Sequence, residues 1–295
     1  MQKVVVCGHQ PVTQAVLVEL LTVPGASEVV VYEPDPQVID LDSLTALASM
    51  GQHQFRRGGV KQLADADVVV LTDFADPASE DYLAVSLAAM RKIINEAMSE
   101  SFAGKLLVTN HRDDILTYFA QRFSGLPRQQ VLGVGTFGLT RIAKAMTAQA
   151  LEVPVEVVTA YVIGSTTQMV PIWSRSYVAS TPLLSLLSGD NAASDFLPRV
   201  QEALQGFVAS DAAVTLPALV PPLLAAMSGQ KPLIAPLTQL LDVDSEVVAY
   251  SRPVLLRADG LVTLSVVNGS EAEEAQLNDF VADFLTTVQT IESQE

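Results

Sequence analysis

Short apolar runs of strand length, each followed by a stretch of helix length, govern what the first half of this chain can fold into. Residues 3–7, 28–32, 67–72, 105–109 and 130–133 are nearly continuous in aliphatic and β-branched side chains, as parallel strands covered on both faces are. Between them Val12, Val16, Leu17, Leu20 and Leu21 recur at helical spacing behind Pro11, a residue tolerated in a first turn. Residues 41–50, residues 79–100 and the stretch carrying Ile115, Leu116 and Phe119 also read as helices. Alternating strands and helices imply right-handed crossovers, and so a doubly wound parallel sheet.

The second half has a different rhythm. A helix over residues 138–151 leads into β-branched segments at 155–163 and 170–173, then a helix over 192–208. A proline-punctuated stretch begins at Thr215, and residues 246–250, 253–257 and 261–267 are strand candidates. Ser270-Glu271-Ala272-Glu273 has the form of a capping box. It opens a last helix with Leu277, Phe280, Val281, Phe284, Leu285 and Val288 on one face. The expectation is an α/β domain over residues 1–135 and an α+β domain over 136–295, a division that suits 295 residues.

Charge narrows the partners. Lys and Arg total 17 against 33 Asp and Glu, a net charge of −16, which disfavours nucleic acid and anionic membrane surfaces. Arg56-Arg57 is too small a basic patch to offset this. The single cysteine, Cys7, lies inside an apolar run, so a buried structural thiol is expected, with no disulfide framework and no metal site. Residues 216–227, the longest apolar stretch, carry Pro217, Pro221 and Pro222 and fall short of a membrane span. With no secretory leader, the expectation is a soluble, cytoplasmic protein.

Three blocks together resemble the lactate/malate dehydrogenase family. The first is residues 65–72. The second runs from Leu107-Val108-Thr109-Asn110 through residues 114–118 and Ser124-Gly125-Leu126-Pro127 to residues 131–136. The third is residues 160–164 followed by Val170-Pro171-Ile172-Trp173-Ser174. Arg257-Ala258-Asp259-Gly260 is similar to a strand turn of the same family. The resemblance spans nearly the whole chain. It implies a Rossmann-type N-terminal domain, NAD as cofactor, and a homo-oligomer (dimer or tetramer) or assembly with an active relative.

The resemblance departs from the family at the chemistry. That reaction moves a hydride between nicotinamide and a 2-hydroxy acid. It uses a histidine to take the hydroxyl proton, an aspartate to hold the imidazole, and arginines to grip the carboxylate and polarise the carbonyl. Here the histidine's interval reads Ser165-Thr166-Thr167-Gln168-Met169, and no histidine follows His111. Leu139 stands for the aspartate and Ile142 for the gripping arginine. Arg141 is one residue, about 100° of helix, from that position. No basic residue lies between Asp73 and Tyr82, where the loop arginine belongs. A missing acid/base costs about 10²–10⁴ in rate, and a missing carboxylate grip a further ~10–150-fold. Ordinary dehydrogenase activity is therefore expected to be almost absent. His111, with Asp113 or Asp114 as its carboxylate, and Thr166 are the candidates for a relocated catalytic group.

The resemblance also assigns the cofactor and pocket positions. Gly8-His9-Gln10-Pro11-Val12-Thr13 occupies the place of G-x-G-x-x-G and keeps only the first glycine. Gly8, Gln10, Thr72 and Asn110 are then cofactor-side residues, with Glu33 placed to hold a ribose diol. Asp73 puts a carboxylate in a loop that approaches the dinucleotide in the family. Asn110, Leu139, Ile142 and Thr215 line the substrate pocket by the same correspondence, and His53 is expected in a solvated loop.

Three functions remain open. The first is a binding or assembly protein built on a degenerate dehydrogenase. The second is an NAD-dependent oxidoreductase with a rebuilt site and an atypical carbonyl or alcohol substrate. The third is a small-molecule sensor using a vacated, apolar pocket around Leu139, Ile142 and Met169.

Overall fold

The computed structural model describes residues 2–21, 27–32, 40–51, 53–188, 192–264 and 268–294. Its first half contains β1 (Gln2–Cys7), α1 (Val12–Leu20), β2 (Ser27–Tyr32), α2 (Leu41–Ala48), β3 (Gln54–Arg57) and α3 (Val60–Ala64). There follow β4 (Val68–Leu71), α4 (Tyr82–Ser99), β5 (Lys105–Val108), α5 (Asp113–Ser124) and β6 (Val131–Gly133). These strands are parallel, in the order β3-β2-β1-β4-β5-β6. Because side chains alternate along a strand, β1 feeds two cores. Val4 and Val6 pack with Leu17 of α1 and Leu44 of α2, whereas Val5 and Cys7 pack with Met90 of α4 and Phe119 of α5. Each such side chain contributes about 1.5–3 kcal/mol by leaving water. Cys7 is the expected structural thiol, fully buried, with its ionisation pushed far up by that burial.

The sequence reading finds five parallel strands, and the sixth is β3. Only Phe55 of its four residues is buried, so no apolar run marks it. Arg56 is not a patch for a partner but pairs with Glu28 on β2. Charged side chains on such an edge also discourage pairing with another chain. His53 is likewise corrected: it is 9% exposed, and its Nδ1 lies 2.7 Å from Ser27 Oγ.

The second half runs α6 (Phe137–Ala150), β7 (Val158–Thr159), β8 (Val162–Gly164), β9 (Met169–Pro171), β10 (Tyr177–Val178) and β11 (Thr181–Pro182). Next come α7 (Leu183–Leu187), α8 (Ala192–Val208), α9 (Ala212–Thr215) and α10 (Val220–Met227). The chain closes with β12 (Leu233–Val243), β13 (Glu246–Arg257), β14 (Gly260–Thr263) and α11 (Glu271–Gln294). Thr238 of β12 pairs antiparallel with Gly133 of β6, and the sheet continues through β13, β8 and β9. The sequence reading misses β12 and divides β13 at Pro253. Prolines explain both errors: Pro236 faces Pro253, a pairing that an antiparallel ladder accepts only where neither residue must donate. Residues 265–267 of the last expected strand lie outside the described residues.

The capping box forms as expected. The Ser270 N–H donates to Glu273 at 2.6 Å and the Glu273 N–H to Ser270 Oγ at 3.4 Å. Phe280, Phe284 and Val288 of α11 are buried against the sheet. Among the described residues, no single helix is long and apolar enough to cross a membrane.

Candidate functional site

Strand order reverses between β1 and β4, and a sheet wound this way opens a crevice at the carboxyl ends of those strands. Three loops meet there. The His9 N–H donates to Asp73 O at 2.8 Å, and Thr109 N–H to Leu71 O at 2.8 Å. Asn110 Nδ2 donates to Thr72 O at 2.6 Å. Gly8 fits because it has no side chain: its φ is +151°, and a Cβ there would stand 1.8 Å from Thr72 Oγ1. Thr72 is wholly buried, its hydroxyl 2.6 Å from that of Thr13 in α1. This candidate cofactor residue is thus spent on internal packing.

At the floor of the crevice is Asp73, 4% exposed. Its Oδ1 accepts hydrogen bonds from the Tyr82 hydroxyl and from the His111 N–H, the latter at 2.9 Å. Its Oδ2 is buried without a partner, as is Asn110 Oδ1. Burial raises the Asp73 carboxyl above its ordinary range, and burial together with Asp73 raises the Tyr82 phenol. The Tyr82 and His111 rings meet edge to face, 6.2 Å between centroids. Thr166 Oγ1 donates to His111 O at 3.2 Å, so the two candidate catalytic residues are neighbours.

The carboxylate beside His111 is Asp73, not Asp113 or Asp114. Asp113 Oδ2 accepts from Gly135 N and Thr238 Oγ1, both at 2.7 Å. Asp114 holds Arg112 in a two-point ion pair, at 3.0 and 3.1 Å. Tyr82 went unnoticed in the sequence because nothing local links it to Asp73, nine residues earlier.

Above this floor lies a cleft of about 620 Å³. Gln10, Asp73, Asp76, His111, Ser210 and Asp211 supply its polar lining. Pro11, Val12, Pro77 and Val208 supply apolar wall. Among the described residues no lysine or arginine lines it.

The other pocket candidates lie elsewhere. Leu139 is fully buried in a cluster with Phe196, Val200 and Leu204, and Ile142 and Met169 pack against the same cluster. The vacated pocket expected around these residues is therefore filled by side chains from α8. Thr215 is half-buried in α9, where its hydroxyl donates to Asp211 O at 3.4 Å. Arg141 is exposed and stacks over Phe137, in keeping with its offset around α6. Glu33 lies outside the described residues. No cluster that could hold a metal ion occurs among the described residues.

A dinucleotide pyrophosphate fits these loops poorly. It would need close backbone approach and free N–H groups at the start of α1. Pro11 has no N–H, the Thr13 N–H is bonded to His9 O at 3.2 Å, and the Gln10 side chain stands in the cleft. Asp73, Asp76 and Asp211 then face the phosphates, with no basic residue among the described lining residues to offset them.

No family model matches the chain. L-lactate dehydrogenase 2 of Enterococcus faecalis is 27% identical over 215 residues, 69% of this chain and 68% of that enzyme. L-lactate dehydrogenase 1 of Staphylococcus aureus is 30% identical over 196 residues, 63% of this chain and 61% of that enzyme. Among solved structures, the minor L-lactate dehydrogenase of Enterococcus mundtii in its ligand-unbound form has a TM-score of 0.87 at 20% identity, covering 98% of this chain and 97% of that one. The chain is similar in sequence to L-lactate dehydrogenases and shares their fold. A lactate dehydrogenase from a Medee basin deep-sea metagenome library shares the fold as well, with a TM-score of 0.83 at 22% identity over 98% of each chain. The chain thus shares the fold of these structures over nearly its whole length.

Proposed function

We propose that this lactate dehydrogenase-like protein, a divergent relative of the lactate/malate dehydrogenase family, does not oxidise 2-hydroxy acids in the ordinary way and acts as a binding or assembly protein. The lining of the switch-point cleft carries the reading. Among the described residues, three carboxylates and no cation face a space that, for the dehydrogenase reaction, must attract a pyrophosphate and a substrate carboxylate. Burial of Leu139 among apolar side chains supports it, because an imidazole-holding aspartate has no place there. In the assembly role the partner is a second copy of the chain, as a dimer or tetramer, or an active relative. The test is titration with NADH, following nicotinamide fluorescence and thermal stability together, with turnover measured on 2-oxo acids. The expected result is no saturation at millimolar NADH and rates at background. Reduction of any 2-oxo acid well above background overturns the proposal.

The meeting of His111, Thr166, Tyr82 and Asp73 favours one second reading, an NAD-dependent oxidoreductase acting on an uncharged carbonyl or alcohol. It predicts turnover on such a substrate that is lost in His111→Ala. Turnover indifferent to that change, or none at all, removes it.

A further inference from the structure

Asp73, which lines the cleft, has one buried oxygen, Oδ2, that lacks a hydrogen-bond partner. It is an acceptor, so what the site lacks is a donor. The Asp73 side chain is 96% buried by the complement of its 4% exposure, and a carboxylate withdrawn from water without a partner is costly. Its one satisfied oxygen is held by Tyr82 and the His111 backbone, which fix the carboxylate in place. At the exposed rim, Asp76 and Asp211 each accept an N–H of their own turn through Oδ1, from Ala78 and Ala213, both at 2.9 Å. Both residues line the cleft and add two further negative charges to it.

We infer that the switch-point cleft binds a small organic cation, a primary ammonium or guanidinium group on a short aliphatic body, in place of an anionic nucleotide. Such a group brings several N–H donors together with positive charge, and so answers both the unpartnered oxygen of Asp73 and the negative charge of the lining. The apolar wall of Pro11, Val12, Pro77 and Val208 suits the aliphatic part, and the volume of about 620 Å³ lies within the range of small-molecule sites. A metal ion is a poor alternative, since the described residues hold no cluster that could ligate one. The inference rests on the binding role proposed above and names the ligand class of that site.

The experiment is isothermal titration of the full chain with 1,4-diaminobutane and its monoguanidinylated analogue, at about 0.15 M salt so that long-range attraction is screened. 1,4-Butanediol, succinate and magnesium chloride serve as neutral, anionic and metal controls. The expected result is saturable, one-to-one binding of the two cations and none of the controls. Asp73→Asn should weaken binding ~10-fold or more, the effect of losing a charge-assisted hydrogen bond. Asp76→Asn, at the exposed rim, should weaken it several-fold and keeps the test intact if Asp73→Asn fails to fold. Glu100→Gln, an equal charge change on the exposed C-cap of α4, should leave it unchanged. No saturation at millimolar amine, equal binding of the diol, or equal weakening by Glu100→Gln overturns the inference. Absence of amine binding leaves the non-dehydrogenase reading standing, whereas NADH-dependent reduction of a 2-oxo acid overturns that reading itself.

Discussion

Replacing Asp113 by asparagine should flatten the dependence of this protein's stability on pH. Asp113 is 2% exposed at the start of α5, where Oδ2 ties the turn before α6 and strand β12 to that helix. Burial, with Asp114 next to it, pushes its carboxyl up from 3.8 to about 7. Between those two values the folded protein keeps a proton that the unfolded chain has released. Stability from this group is therefore full below pH 4, falls as pH rises towards 7, and stays low above it. A rise of about 3 units at ~1.4 kcal/mol each is a loss of about 4 kcal/mol across that interval. Asparagine offers an acceptor to the same two donors and never ionises. Urea unfolding of both proteins at pH 4 and pH 8 measures the effect. The variant should gain on the parent by about 4 kcal/mol between the two conditions. A difference between variant and parent that is the same at both pH values refutes the argument, because it leaves Asp113 ionised in the fold at no cost.

Other substitutions test the packing around the site. Gly8→Ala drives a Cβ to 1.8 Å from Thr72 Oγ1 at a φ of +151° and should cost about 1–3 kcal/mol or more, read as a lower unfolding midpoint; an unchanged midpoint contradicts the close approach of β1 and β4. Arg112→Met strands the Asp114 carboxylate, 1% exposed, and should destabilise by about 3–5 kcal/mol. Adding Asp114→Asn should recover much of that loss; if it does not, the ion pair is not the cause. Leu139→Asp, the residue type that the resemblance implies at this position, places a charge among Phe196, Val200 and Leu204. It should cost several kcal/mol in urea unfolding and restore no 2-oxo acid reduction; a stable, active variant would show that the apolar cluster opens.

Where burial is two-sided, the sequence displays the strand. Residues 68–71 are all buried and read directly as an apolar run, as do the buried residues of β1 and β2. Where burial is partial or a proline intervenes, the signal fails: β3 buries one residue, and β12 carries Pro236 in a position that needs no donor. The departures from the resembled motif at Leu139, Ile142 and residues 165–169 are legible because an absence can be read without coordinates. The replacement is not legible. Asp73 is visible in the sequence only as an unwelcome carboxylate, and its partnership with Tyr82 and His111 depends on three loops converging from separate strands.

That convergence also explains how such a fold can keep its shape whatever side chains line its cleft. The loops are pinned mostly by backbone: His9 to Asp73 and Thr109 to Leu71, each at 2.8 Å, and Thr72 to Cys7 at 2.8 Å. Main-chain bonds do not depend on which side chains the cleft presents, so the lining can exchange phosphate-binding groups for carboxylates while the strand ends stay in register. The glycine that remains, Gly8, is the one whose Cβ would strike a neighbouring strand's side chain, and it is kept by packing rather than by a ligand. At the later fingerprint positions, Gln10 reaches the cleft and Thr13 bonds Thr72, which closes the loop on itself. Gly8 is thus fixed by the packing of β1 against β4, whatever the cleft binds.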